Sequence, residues 1–324
     1  MFQKAIWRYR EKARMGSSGL SSTWTERDAS SKTGNLVMSG LNHTDLGLLD
    51  NTRSFYMLLS MCSDYARDKG NAEQDLKKIA DAGFDGIQWI HQWNTDFIYT
   101  KPEIRQIKKW LRDFNLKMFD LHATDGVEKK WYSVTEYERE AGVEIVKNRI
   151  EMTGELGGNV IVMHIPRLSS ENAEKWEQLE KSIDELEGFA SKHGVRIAVE
   201  NIFFDEFNGI ARLMKKYSPD YLGICYDSGH GNMVVQGLEH LSRFPDRLIS
   251  LHLHDNNGFD DQHKPLFSGT IDWKKLAAVL SKSTYKGPLT QETGIRNSGI
   301  PDEDIFLKQA YANAEKLAAM IKGK

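Results

Sequence analysis

The sequence predicts an α/β fold, a single (β/α)8 TIM barrel carrying an N-terminal extension, and three observations point there. Apolar runs of strand length alternate with helical patterns from residue 54 to residue 324, at roughly 30 residues per unit, the spacing of a strand–helix repeat. Alternation of this kind forces parallel strands joined by crossover helices. Histidine or acidic side chains end at least six of the strands, whereas a doubly wound open sheet, the rival architecture, gathers its site at one switch point.

Each element has its own signal. The short apolar run at 54–60 reads as a buried strand. Asn71 caps a helix with Leu76, Ile79 and Ala80 at helical spacing, which stops near Gly83. Strand 84–90 follows, then a helix from Pro102 with Ile104, Ile107, Trp110 and Leu111 on one face. Strand 116–122 ends in His122; a helix over about 135–156 ends at Gly157-Gly158; strand 159–164 ends in His164. A helix over about 170–192 leads to strand 195–200, which ends in Glu200. Beyond it come a helix at about 205–217, strand 222–227 ending in Asp227, and a helix at about 234–244. Strand 248–253 carries His252, Asp272 caps a helix to about Ser281, strand 288–292 ends in Glu292, and a last helix covers about 302–321.

Residues 1–53 differ from the rest. Lys4, Arg8, Arg10, Lys12 and Arg14 stand against Glu11, and a polar Ser/Gly/Thr-rich run follows to about Asn35. Such a run buries too little apolar surface to order itself. A flexible extension or a start codon placed too early, a basic Ser-rich transit peptide, and an arm covering a partner subunit of a homo-oligomer are the open readings. Over all 324 residues the totals describe a globular chain, 40% apolar and 27% charged. A net charge of -3 gives no electrostatic reason to expect a nucleic-acid partner, although a local basic groove is compatible with it. Cys62 and Cys225 are far apart, which implies no disulfide framework and fits a reducing cytoplasm. No apolar run approaches the ~18 residues of a membrane span.

The chemistry concentrates between Tyr226 and Trp273, where five of the ten histidines fall, most of them among carboxylates. Barrel active sites lie at the C-terminal mouth, so Glu200, Asp227, His252 and Glu292, ending four successive strands, would face one another there. Three crowded carboxylates repel, and a divalent cation with an imidazole ligand relieves that. The mixed O/N set suits Mn, Zn, Co or Mg alike. His252 and His254 share a parity, and Asp255 and Asn256 are candidate partners that orient an imidazole. Trp89, Trp93 and Trp131 fall near early strand ends, as pocket faces or as packing. Lys264 and Arg296 are candidate contacts for a phosphate or carboxylate, His91 reads as a surface residue and Cys225 as a buried strand residue. There is no P-loop, dinucleotide fingerprint or nucleophile elbow, and hence no nucleotide cofactor is expected.

Val199-Glu200-Asn201, Tyr226-Asp227-Ser228-Gly229-His230, His252-Leu253-His254-Asp255-Asn256, Asp261-Gln262-His263 with Gly269-Thr270-Ile271-Asp272-Trp273, and Gln291-Glu292-Thr293 together resemble the xylose-isomerase-like superfamily, from about Phe55 to Ile321. That superfamily holds sugar and sugar-phosphate isomerases and epimerases and the endonuclease IV repair enzymes. The resemblance implies that Glu200, Asp227, His252 and Glu292 are the metal quartet, that Glu200 and Glu292 also exchange the substrate proton, and that His230 contacts a sugar hydroxyl. It also matches the three zinc sites of endonuclease IV: His122, His164 and Glu200; the quartet; and His230, Asp261 and His263.

Two departures weigh against DNA. Pro265-Leu266-Phe267-Ser268-Gly269 stands where a Pro-Gly-x-Gly turn is usual, and Asn201-Ile202-Phe203-Phe204 reads as an apolar wall suited to a compact substrate. The expectation is a cytoplasmic divalent-metal-dependent isomerase or epimerase of a sugar, keto-sugar or sugar phosphate, working through a metal-held enediolate. The alternatives are an endonuclease IV-like zinc phosphodiesterase, a lyase or deglycosidase on a keto-sugar, and a barrel that binds a sugar without turning it over.

Overall fold

The computed structural model describes residues 57–66, 72–124, 126–202 and 207–323. The expectations for residues 1–53, the Asn71 cap and the Phe203-Phe204 wall therefore lie outside the described residues.

Eight strands form one parallel sheet: β1 (Leu59–Cys62), β2 (Gly86–Trp89), β3 (Lys117–His122), β4 (Val160–Met163), β5 (Arg196–Glu200), β6 (Leu222–Asp227), β7 (Leu248–His252) and β8 (Leu289–Gln291). Their order in space is their order in the chain, and β1 pairs with both β2 and β8. The sheet meets itself at a parallel bridge between Leu253 and Gln291, where Leu253 N–H donates to Thr290 O at 2.9 Å and Glu292 N–H to Leu253 O at 3.0 Å. This is the barrel; an open sheet would leave β7 and β8 apart.

The helices are α1 (Ala72–Asp81), α2 (Lys101–Asp113), α3 (Glu136–Glu155), α4 (Ala173–Lys192), α5 (Asn208–Lys216), α6 (Ser228–Asn232), α7 (Gly237–Leu241), α8 (Trp273–Lys282) and α9 (Glu303–Ile321). α2 shows how local signals set them. Glu103 Oε2 accepts from Thr100 N–H at 2.7 Å, a proline opens the first turn, and Ile104, Ile107 and Leu111 are buried on one face. Each such side chain contributes about 1.5–3 kcal/mol by leaving water. Asp272 and Asp302 likewise cap α8 and α9, accepting from Lys275 N–H at 3.0 Å and Ile305 N–H at 2.9 Å.

Two elements differ from expectation. β1 lies further along than 54–60, because the apolar run continues through Met61-Cys62 and Ser60 is an inward-facing buried residue rather than its end. The helix expected at 234–244 is two short ones. Asp227 caps a turn that starts directly at the strand end, and Gln236, at φ 57, breaks the chain before Gly237.

The main core lies between the strands and the surrounding helices. Val160, Val162, Ala198 and Cys225 form a second cluster on β4, β5 and β6. By alternation they share a face with His164, Glu200 and Asp227, so they floor the mouth from inside the barrel.

Candidate metal centre at the barrel mouth

Glu200, the last residue of β5, is the hub. It is buried, and four imidazoles converge on its carboxylate. His122 and His164 place Nε2 at 3.4 Å from Oε2, His252 places Nδ1 at 3.2 Å from Oε2, and His230 places Nδ1 at 3.0 Å from Oε1. Glu292, one residue past β8, reaches the same His252 Nδ1 at 2.8 Å.

Asp227 joins Glu200 through His230 rather than through His252. Its carboxylate lies 3.0 Å from His254 Nε2 and accepts from His230 N–H at 2.7 Å, so it caps α6 and aims His230 inward. Asn201 locks it in place: Asp227 N–H donates to Asn201 Oδ1 at 2.8 Å, and Asn201 Nδ2–H donates to Asp227 O at 2.9 Å. Potential ligand atoms within reach of one another thus form overlapping sets. They are His122–His164–Glu200, His122–His252–Glu292, Glu200–Cys225–His252, Glu200–Asp227–His230 and His254–Asp261–His263. The expected quartet is present at four neighbouring strand ends, but it divides about Glu200, with His252 and Glu292 on one side and Asp227 on the other. Asp261 also approaches His230 Nε2 at 3.6 Å, and His254 joins Asp261 and His263 where the resemblance implied His230.

The electrostatics of these sets are reciprocal. Burial pushes Glu200 up, but His252, His164 and His122 outweigh it and hold the carboxyl well below the usual range. Glu292 follows the same logic, with His252 bringing it to about 2 against the effect of burial. Burial pulls His252 down, yet Cys225, Glu292 and Glu200 hold it well above the ordinary imidazole value. His230 is likewise pulled down by burial and raised further by Asp227, Asp261 and Glu200. His263 rises to about 9, with Asp261 overcoming burial. Protons on His252, His230 and His263 balance the buried carboxylates. A divalent cation could take their place. The residues fit such an ion: Glu200 Oε2 and His252 Nδ1 are buried, face each other and complete no hydrogen bond.

Several expected partners lie elsewhere. Asp255 and Asn256 orient no imidazole. Asp255 accepts from Trp273 Nε1–H at 2.8 Å and from Asn256 N–H at 2.9 Å, while Asn256 bonds Asn232 and Gly229 at 2.8 and 2.9 Å. They hold the loop between β7 and α8. Trp89 is buried and donates to Tyr99 Oη at 2.9 Å, which makes it a core residue rather than a pocket face. Trp131 is buried too, donating to His164 O at 3.2 Å. Trp93 lays its ring against the site imidazoles, 4.9 Å from His122 and 5.5 Å from His164. His91 is half-buried rather than a surface residue. Lys264 pairs through its backbone with Asp255, and Arg296 is exposed on the turn Ile295–Asn297.

Residue-type patterns did not reveal Gln88, whose amide contacts His252 Nε2 from β2, or Asp120, buried one layer beneath His122. Burial pushes Asp120 up to about 6. Strand parity was the only available signal for either.

Comparison with known proteins identifies the fold and the family. An uncharacterized protein, y4fM of Sinorhizobium fredii, is 30% identical over 276 residues, covering 76% of this chain and 88% of its own length. Among solved structures, a D-tagatose 3-epimerase-like protein superimposes with a TM-score of 0.64 at 21% identity, over 82% of this chain and 99% of that one. D-allulose 3-epimerase from Methylomonas sp., solved in complex with D-allulose, gives 0.67 at 17%, over 80% and 97%. Those identities carry the fold alone. A family model described as xylose isomerase-like TIM barrel matches residues 76–318. The chain therefore belongs to the xylose isomerase-like TIM barrel family.

Proposed function

We propose that the protein is a divalent-metal-dependent isomerase or epimerase of a sugar, keto-sugar or sugar phosphate. The observation that carries the reading is the pair of buried carboxylates, Glu200 and Glu292, joined through one imidazole nitrogen of His252 at 3.2 and 2.8 Å. The sugar epimerases that share the fold support the same class of substrate. Glu200, Asp227, His252 and Glu292 would hold the cation. When bound, that ion supplies Lewis-acid stabilisation for the negative charge that builds on substrate oxygens as a C–H proton leaves.

The protein's own groups do the rest. Glu200 and Glu292 approach from different strands, so one carboxylate can take the proton from carbon while the other returns one. Both are held ionised by their imidazole neighbours, which a base requires. His230, fixed by Asp227 and Asn201, offers a nitrogen to a sugar hydroxyl. Trp93 gives the mouth an apolar face against which a sugar ring can stack. Incubating a ketose panel in D2O with Mn, Co or Zn tests the reading by NMR. Deuterium should enter at the carbon beside the carbonyl as the epimer forms. In Glu200→Gln and Glu292→Gln, turnover should fall by about 10²–10⁴-fold. Full activity in both variants would remove the acid–base assignment.

The endonuclease IV-like reading keeps one specific observation in its favour. The His122–His164–Glu200 and His254–Asp261–His263 sets flank the quartet, as three metal sites would require. Metal content separates the two: three zinc ions per chain with nicking of abasic DNA favours the phosphodiesterase, and a single ion with deuterium exchange favours the sugar enzyme.

A further inference from the structure

We propose that Gln88 is a positioning residue for His252: its amide oxygen accepts from Nε2–H and so keeps Nδ1 bare toward Glu200 and Glu292, an inference that rests on the cation reading above. Gln88 is fully buried on β2, and its side chain spans the barrel interior to a residue of β7. As placed, the amide sets its NH2 against His252 Nε2 and leaves Oε1 buried without a hydrogen bond. With an ion on Nδ1 the ring proton sits on Nε2, and an NH2 group set against that N–H pairs two donors, so the contact satisfies neither. Turning the amide end for end, a change of nitrogen and oxygen positions only, sets Oε1 on Nε2–H.

The same turn answers a second orphan. Asp120 pairs with Gln88 across β2 and β3 and has its own Oδ1 buried without a hydrogen bond, while Oδ2 accepts from Ser250 Oγ–H at 2.5 Å. The NH2 released by the turn sits on the strand position that pairs with Asp120, which makes it the candidate donor for Oδ1. A line of buried polar groups, Ser250–Asp120–Gln88–His252, then runs under the mouth with every member served. A buried polar group left unserved forfeits its hydrogen bonds to water, so a barrel interior keeps four of them only with partners. The line ends on the one imidazole whose other nitrogen faces both glutamates. With a proton fixed on Nε2, the Nδ1 lone pair is the only one available to an ion.

The test uses the full chain with isotope-labelled histidine, loaded with zinc. NMR should show His252 binding zinc through Nδ1 while Nε2 retains a slowly exchanging proton. Gln88→Met keeps the length and removes the acceptor. It should weaken zinc affinity by about 10–100-fold, and the Nε2–H resonance should move upfield and exchange faster. Zinc on Nε2 in the wild type would overturn the proposal. So would an unmoved Nε2–H resonance in Gln88→Met with affinity within twofold of wild type. If the wild type bound none of zinc, manganese, cobalt or magnesium, the functional reading would fail separately. The ring proton of His252, read in the metal-free protein at alkaline pH, would still report on Gln88: Nε2–H supports the contact and Nδ1–H refutes it.

Discussion

Gly229 lies directly under the imidazole of His254: a Cβ built on it would stand 1.9 Å from His254 Cε1 and 2.5 Å from Nδ1. The glycine is therefore space for a ring, and the ring reaches Asp227 at 3.0 Å only because that space exists. Gly229→Ala should displace His254 and cost about 1–3 kcal/mol, the range for over-packing a tight site. A denaturant melt together with zinc stoichiometry checks both parts, since an ion held by the His254–Asp261–His263 set should be lost with the ring.

Cation uptake should release protons. Cys225, Glu292 and Glu200 outweigh burial and hold His252 well above the ordinary imidazole value, so without a cation it carries a proton at neutral pH. A ligating imidazole must be bare. Affinity should therefore rise with pH, by about tenfold per unit for each proton displaced. Calorimetry in buffers of different ionisation enthalpy measures the release directly. Heats that do not vary with buffer would contradict it.

Phe267 adopts φ 68, a left-handed conformation costing a side chain roughly 1–2 kcal/mol. Its ring compensates by packing 5.2 Å from Trp273, with Lys316 Nζ 3.9 Å from its centroid. Phe267→Gly relieves the backbone but gives up the ring and loosens the unfolded chain. The losses are the larger side, and the variant should be about 1–2 kcal/mol less stable by thermal or urea melting.

His91 gives a pH signature. Burial lowers its imidazole to about 4, against an unfolded value near 6.5. The unfolded chain then takes up the proton more readily. The stability His91 contributes is complete above about pH 6.5 and is lost as pH falls from there toward 4. Comparing melting temperature against pH for wild type and His91→Gln should show a flatter acid limb in the variant.

The fold and the candidate ligands were legible because both rest on local alternation. A strand turns every second side chain inward whatever surrounds it, so parity carries from the floor residues to His122, Glu200 and Asp227 at the mouth. What was not legible depended on direction across space. Asp255 follows a ligand-bearing strand in sequence, yet its carboxylate turns to Trp273 and the loop amides. Trp89 ends a strand but faces the core. Gln88 has no residue-type signal at all, since its meaning comes from β7 on the far side of the interior. The division of the quartet about Glu200 has the same origin: side-chain direction at a strand tip is set by the following turn, here the Asp227 cap.

The bridge between Leu253 and Gln291 is the sparsest join in the sheet, and His252 and Glu292 stand on either side of it. An ion gripped by both would act as a buckle on a hoop. Loading would then be felt all around the ring of staves as well as at the mouth, and the amides of Leu253 and Glu292 would be the first to stop trading hydrogen with solvent.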